Sequence, residues 1–369
     1  MAGSQPAGGH ATTRNREGWV TGTLLLFCLA STVITVVAGL VQVSYGPYTM
    51  TFVEAWQAVF NPDVVFDIDV WKSFLLGAEL PEMEPNSLVV WNIRLPRVFV
   101  AIIAGSTLAV SGAIFQAVTR NELASPFVLG VSSGAGFAVL ATLVVFSGLA
   151  PYLPLIAALG GTVAFLLVYG IAWKGGTSPV RLVLAGVIVN MVFQSIQRGL
   201  FFFADDLGVV QTAIAWMTGS LIGTGWEEVR ISVLPAAAAI LIALVGARQL
   251  NVLLLGEQTA RSLGMRVERV RFLLSAVAIL AASVAISVAG IVSFFGLVVP
   301  HIVRNVVGSD YRRLMIGCLF AGPALMVTAD VGARLAVSST QLPVGIVTGL
   351  IGGPYFLYLM RKQQSMGEI

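Results

Sequence analysis

The feature that most constrains this chain is the recurrence of apolar stretches about 20 residues long, the length that carries an α-helix across a bilayer. They fall near 19–42, 95–118, 127–147, 154–173, 180–202, 229–248, 271–292, 294–307, 314–334 and 344–360. Inside lipid a chain must satisfy its backbone N–H and C=O groups internally, so such stretches fold as helices. The expected fold is all-α: a polytopic membrane protein of about ten transmembrane helices in one bundle. Composition agrees, with 57% of residues hydrophobic and 11% charged, where soluble domains carry about 25% charged. The 39 glycines suit close helix approach in lipid.

Residues 1–18 form a polar tail, 19–362 the helical domain and 363–369 a second tail. The run at 19–42 lacks a small-residue cleavage site and reads as a retained first helix. Ten spans place both termini on one side. With the termini inside, 15 of the 21 Lys and Arg residues face inward, as the positive-inside rule requires; Lys72, Arg94, Arg97, Arg198, Arg230 and Arg334 are left in the outer half. Both termini are therefore expected to be cytoplasmic, at the plasma membrane, with 43–92 extracytoplasmic and 254–266 cytoplasmic. Ten spans divide into two halves of five, whose odd number makes inverted repeats the expectation.

The stretch 270–311 reads as helix, tight reversal, helix back, and the polar segment 255–269 precedes it. GEQTARSLG, at 256–264, is expected to form two short helical pieces broken at Gly256 and Gly264. It is either a docking element for another protein or a plain connector. In the fifth span, Asn190, Gln194, Gln197 and Arg198 share a helical face. That face reads as the wall of a translocation path, with Gln116 of the second span as a further candidate, or as inter-helix hydrogen bonding. RLPR, at 94–97, and Arg334 place cations at the outer mouth. These suit an acidic docking partner or headgroup anchoring. Asp330 stands one turn before Arg334, an order that favours pairing. Cys28, Cys318 and His301 have no ligand spacing, so no metal site is expected. No phosphate-binding loop of the G-x-x-x-x-G-K-[ST] type occurs, and no catalytic constellation is present. Nothing here points to nucleic acid.

Taken together, RLPRVFVAIIAGSTLAVSGAIFQAVTRNELASPFVLGVSSGAG, LGEQTARSLG, GIVSFFGLVVPHIVR, ADVGARLA and QLPVGIVTGLIGGPYFLYL resemble the permeases of iron-siderophore, haem and vitamin B12 ABC importers. The resemblance covers about residues 20–362 in order. It implies a ten-helix permease, not itself an enzyme, that works as a homodimer with two ATPase subunits and an extracytoplasmic binding protein. ATP and Mg would belong to the ATPase. By position, Gly256, Glu257, Ala260, Arg261, Leu263 and Gly264 match the family's coupling helices. Arg94, Arg97 and Arg334 match its docking positions for the binding protein. Asn121, Leu123, Thr177 and Ser178 match its cytoplasmic gate, although Glu122 stands where the family pattern often has proline. WMTGSLIGTGWEEV and GPYFLYLMRK look closest to siderophore members, so a ferric siderophore is the expected cargo, with haem and cobalamin as alternatives. An ion-coupled secondary transporter is the contrasting class and predicts titratable carboxylates in mid-membrane.

Overall fold

The computed structural model describes residues 20–46, 48–174, 176–204, 206–337 and 341–367. The tail 1–18, with Arg14 and Arg16, lies outside the described residues. Helix α1 (Gly22–Ser44) leads into four short helices, α2 (Phe52–Val59), α3 (Pro62–Val65), α4 (Ile68–Leu76) and α5 (Pro85–Val89). A π turn, Val90–Arg94, joins α5 to α6 (Leu95–Thr119), and α7 (Val131–Val145), α8 (Leu153–Ala172) and α9 (Pro179–Phe201) follow. Next come α10 (Leu207–Thr218), α11 (Trp226–Leu254), α12 (Glu257–Ser262) and α13 (Val267–Ala289). The chain closes with α14 (Phe295–Val307), α15 (Tyr311–Leu335) and α16 (Val344–Gly367). Among the described residues there is no strand.

Seven helical runs are long and apolar enough to cross a membrane, and α7, α10, α14 and the Val344–Tyr358 part of α16 are shorter apolar helices, a set that accommodates the expected count of about ten. The short ones need their irregular ends covered by protein, because bare backbone is not tolerated in lipid. The reversal between α13 and α14 meets that need: Ile291 N–H donates to the Trp216 carbonyl at 2.9 Å, and Ser220 N–H donates to the Ala289 carbonyl at 2.8 Å. Several boundaries differ from the sequence expectation. The second span begins at Pro85 rather than near 95, because Pro96 has no N–H to donate and the ladder shifts to a π turn there instead of stopping. Helix α11 runs on to Leu254, and α16 continues to Gly367, through most of the expected tail. GEQTARSLG forms one helix rather than two pieces. Gly256 and Gly264 bracket it at φ +99° and +82°, and the second piece is simply the start of α13.

The segment 52–91 folds onto the N-terminal ends of α6 and α11 by aromatic packing. Phe74 stacks between Trp91 (5.9 Å) and Trp226 (4.7 Å). The indole of Trp91 donates to the Ala58 carbonyl at 2.9 Å, and that of Trp226 to the Trp91 carbonyl at 2.8 Å. Thr51 and Glu54 form a capping box at the start of α2; the Thr51 backbone N–H holds the Glu54 carboxyl below its usual range.

Helix α6 is the centre of the bundle. Its apolar window is 83% buried, where those of α1 and α9 are 22% buried. It is packed against α15, α13, α11 and α14, which its small residues permit. A Cβ on Gly105 would lie 2.6 Å from the Gly322 carbonyl oxygen of α15. One on Gly112 would lie 2.7 Å from Gly296 Cα and collide with that residue's carbonyl on α14. Gly112→Ala should therefore destabilise the purified protein by about 1–3 kcal/mol, the cost of overpacking. Gly170→Ala, which meets open space, should leave thermal unfolding unchanged or raise its midpoint slightly. Equal stability of the two variants would contradict the close crossing.

Candidate functional site

The expected functional residues fall into three groups. One lies at the end that carries 45–92, one at the opposite end, and one between α7 and α9.

At the 45–92 end, Arg94, Arg97 and Arg334 converge on a cavity of about 540 Å³ lined also by Tyr48, Asn92 and Gln341. They differ in what holds them. Arg97, 5% exposed, grips Asp330 with two bonds, Nε to Oδ2 at 2.8 Å and Nη2 to Oδ1 at 2.6 Å, and donates from Nη1 to Gln341 Oε1 at 2.8 Å. Asp330 is fully buried and also accepts from the Gln42 amide. The expected pairing of Asp330 with Arg334 is thus replaced: a bidentate partner from α6 outcompetes the one-turn neighbour. Arg94 donates to the carbonyls of Val43 (2.6 Å) and Tyr48. Arg334 donates to those of Gln42 (2.9 Å) and Tyr45. Both therefore cap the C-terminal end of α1, whose last carbonyls lack intrahelical partners.

At the opposite end, α12 is closed by a Schellman motif, in which Met265 N–H reaches the Ala260 carbonyl (3.0 Å) and Gly264 N–H that of Arg261 (2.9 Å). Ala260 is its buried anchor, whereas Leu255 and Leu263 are 59% and 63% exposed. Glu257 pairs with Arg261 at 3.7 Å and with Arg271 at 2.6 Å. In the NELA loop, Asn121 Oδ1 accepts from Leu123 N–H at 2.9 Å, an Asx turn. Thr177 is buried; Ser178 is the N-cap of α9, accepting from Arg181 N–H at 3.3 Å. Arg271, Glu268 and Arg304 were not singled out from sequence, and Glu122 only as standing in place of a proline, yet together they hold these two loops. Glu268 bonds Thr177, and Glu122 lies 3.5 Å from Arg304. The only sequence signal was the Glu268–Arg271 spacing, which fits an i, i+3 pair.

The polar face of α9 divides. Gln197 is buried and donates to the Ser133 carbonyl at 2.7 Å, and the Asn190 amide donates to that of Phe127 at 3.4 Å. Gln194 and Arg198 are exposed and line a cavity of about 290 Å³ with Ser132, Phe201, Met217 and Ile291. Gln116 is buried between α6 and α14, donating to the Leu297 carbonyl (3.4 Å) and accepting from Arg304 (2.9 Å). His301 is buried against Tyr355, with ring centres 6.1 Å apart. Among the described residues, no three His, Cys, Asp or Glu side chains gather as a metal site.

Among the described residues the arrangement is a helical bundle with ion-paired loops at the end that carries α12 and an arginine-lined cavity at the other. Several known proteins are similar to the chain. The Fe(3+)-citrate import system permease protein YfmD of Bacillus subtilis (strain 168) is 38% identical over 283 residues, 76% of this chain and 84% of the relative. The cobalamin import system permease protein BtuC of Halobacterium salinarum is 39% identical over 286 residues, 76% of this chain and 75% of the relative. A solved structure described as an inward-facing metal-chelate-type ABC transporter superposes with a TM-score of 0.77 at 26% identity, covering 92% of this chain and 99% of the other. The profile of the FecCD transport family matches residues 34–362, and the chain belongs to that family.

Proposed function

We propose that this chain is the permease through which an ATP-driven importer moves a ferric siderophore across the plasma membrane. The family supports the coarser statement directly: this is a membrane permease subunit of an ABC importer for iron chelates, haem or vitamin B12. On the finer reading, two copies form the pathway, two separate ATPases bind ATP and Mg, and an extracytoplasmic binding protein delivers the cargo. Both termini then face the cytoplasm, and 45–92 faces outward.

The observation that carries the reading is α12. It is a six-residue helix fixed between two glycines, anchored inward by Ala260, with Leu255 and Leu263 left uncovered. A short rigid knob of this kind fits a groove on a partner, and the sequence holds no phosphate loop of its own. ATP binding to such a partner shifts the permease only through differential contact with this knob. On this reading Asn121, Leu123, Thr177 and Ser178 close the inner mouth, and Gln194 with Arg198 faces the path. Gln116, Asn190 and Gln197 support that path from behind in the conformation observed. The contrasting ion-coupled class has little support, because Asp330 is the only buried carboxylate among the described residues and it is committed to Arg97.

The two relatives carry ferric citrate and cobalamin in their names at nearly equal identity, so cargo rests on the siderophore-like segments 216–229 and 353–362. Uptake into vesicles holding the assembled importer decides it. Labelled ferric siderophore should enter only with ATP and be displaced by excess ferric siderophore, not by haem or cobalamin. Uptake of cobalamin alone would overturn the cargo, and uptake on an ion gradient without the ATPase would overturn the class.

Docking needs a variant that spares the buried pair. Arg334→Glu should weaken association with the binding protein about tenfold at low salt, and less at high salt. Arg97→Glu should instead lower stability by about 3–5 kcal/mol, since it strands a buried Asp330. Unchanged affinity for Arg334→Glu would remove that residue from the docking surface. For the path, Gln194→Leu should slow uptake with thermal stability retained, while Gln197→Leu should lower stability by about 1 kcal/mol by removing its buried hydrogen bond to the Ser133 carbonyl. Wild-type uptake in Gln194→Leu would place the path elsewhere.

A further inference from the structure

Arg271 is 1% exposed and holds three separate segments with one guanidinium. Nη2 donates to Glu257 Oε1 on α12 at 2.6 Å. Nη1 donates to the Thr177 carbonyl oxygen at 2.6 Å and lies 3.3 Å from Glu268 Oε1, one turn earlier on α13. Glu268 Oε2 in turn accepts from Thr177 N–H at 3.0 Å and from its hydroxyl at 2.9 Å. Thr177 is thus held at its amide, its carbonyl and its hydroxyl by two side chains of α13. The same guanidinium that takes its carbonyl is fastened to α12.

The geometry is directional. Glu257 reaches this ring through Arg271; its other ion pair, to Arg261, stays on α12. A buried guanidinium stranded from its partners is costly, so Arg271 follows whichever carboxylate holds it best. A lysine could not do this, because a compact ammonium lacks the planar fork that reaches two directions at once. From its other side the 174–178 loop is clamped by Arg181, which donates to the Gly176 carbonyl (2.9 Å) and to Ser178 Oγ (3.2 Å). Gly176, at φ +138°, gives the loop a backbone that can turn between these two clamps.

We propose that Arg271 is the positioning residue through which a displacement of α12 reaches the Thr177 loop. When α12 moves, Glu257 draws the guanidinium with it, the bond to the Thr177 carbonyl opens, and the loop pivots on the Arg181 clamp. The functional weight of this link rests on the reading of α12 as the coupling element and Thr177 as part of the gate; the mechanical link itself does not.

The test uses the full chain in the assembled importer in lipid nanodiscs, with hydrogen exchange read on peptides covering Thr177. Glu257→Gln, which does not touch Thr177, should speed exchange there about tenfold, as local opening becomes easier. Arg261→Gln, which removes the other partner of Glu257, should not. In an Arg271→Met background, Glu257→Gln should add nothing, the non-additivity expected of one network. If Arg271→Met fails to assemble, Arg271→Lys serves as the background, since it cannot bond both partners. Wild-type exchange at Thr177 in Glu257→Gln, or an equal effect with and without Arg271, would overturn the link. Cargo imported per ATP hydrolysed is measured on Glu257→Gln and should fall several-fold. A changed exchange with an unchanged ratio would support the link while overturning the coupling role assigned to α12.

Discussion

The structure depends on how closely α6 can be approached. At Gly105 and Gly112 the backbones of α15 and α14 come so near that no side chain fits between them. Lipid supplies no hydrophobic force to press helices together, so dispersion contacts over such crossings must hold the bundle. Enclosure then makes α6 a rigid strut. Its 25 residues, at about 1.5 Å each, run from the arginine-lined cavity at one end to the NELA loop at the other. Anything that tilts α6 moves both ends together.

Arginine closes both ends of this bundle, and the reason is geometric. The C-terminus of a helix leaves carbonyls without partners, and a guanidinium can take two of them while its stem remains buried. Arg94 and Arg334 do this for α1, and Arg271 and Arg181 do it for the 174–178 loop. Arg230 does it again at the end of α4, donating to the Ser73 and Phe74 carbonyls at 3.2 and 3.3 Å. Arg94, Arg230 and Arg334 are therefore accounted for by local capping, and Arg97 by its pairing with Asp330, before any partner is invoked. Arg334 is the least enclosed of the three around the cavity.

Sequence made the spans legible because hydrophobic length is a one-dimensional signal, and GIVSFFG marked the reversal through its glycines. It failed wherever the partner was distant in the chain. Asp330 looked like a neighbour for Arg334 under the i, i+4 rule, yet Arg97, 233 residues away, offers two bonds in place of one. The face of Asn190, Gln194, Gln197 and Arg198 was correctly periodic, but periodicity cannot say that α7 would claim Gln197. The packing of 45–92 was equally out of reach, since Trp91, Phe74 and Trp226 become a stack only after α6 and α11 are side by side. Arg271 was counted merely as an inward charge. Its role lies in three contacts that no spacing encodes.

Glu122 shows how the NELA loop is held without a proline. A proline there would hold φ fixed at no cost in contacts. This chain instead shapes the turn with the Asn121 side chain and with Arg120 in the left-handed region, φ +51°. It then tethers Glu122 to Arg304 at 3.5 Å, and Arg304 is itself braced by Gln116 and by the Tyr311 hydroxyl (3.3 Å). The Glu122 side chain is 49% exposed, so the ion pair contributes about 1 kcal/mol or less and weakens with salt. The loop is held by a bond that breaks and re-forms readily, where a proline would hold it by a ring that does not. Of the two loops at this end, the NELA loop is thus tethered by a half-exposed ion pair, and the Thr177 loop by a buried guanidinium that is also fastened to α12.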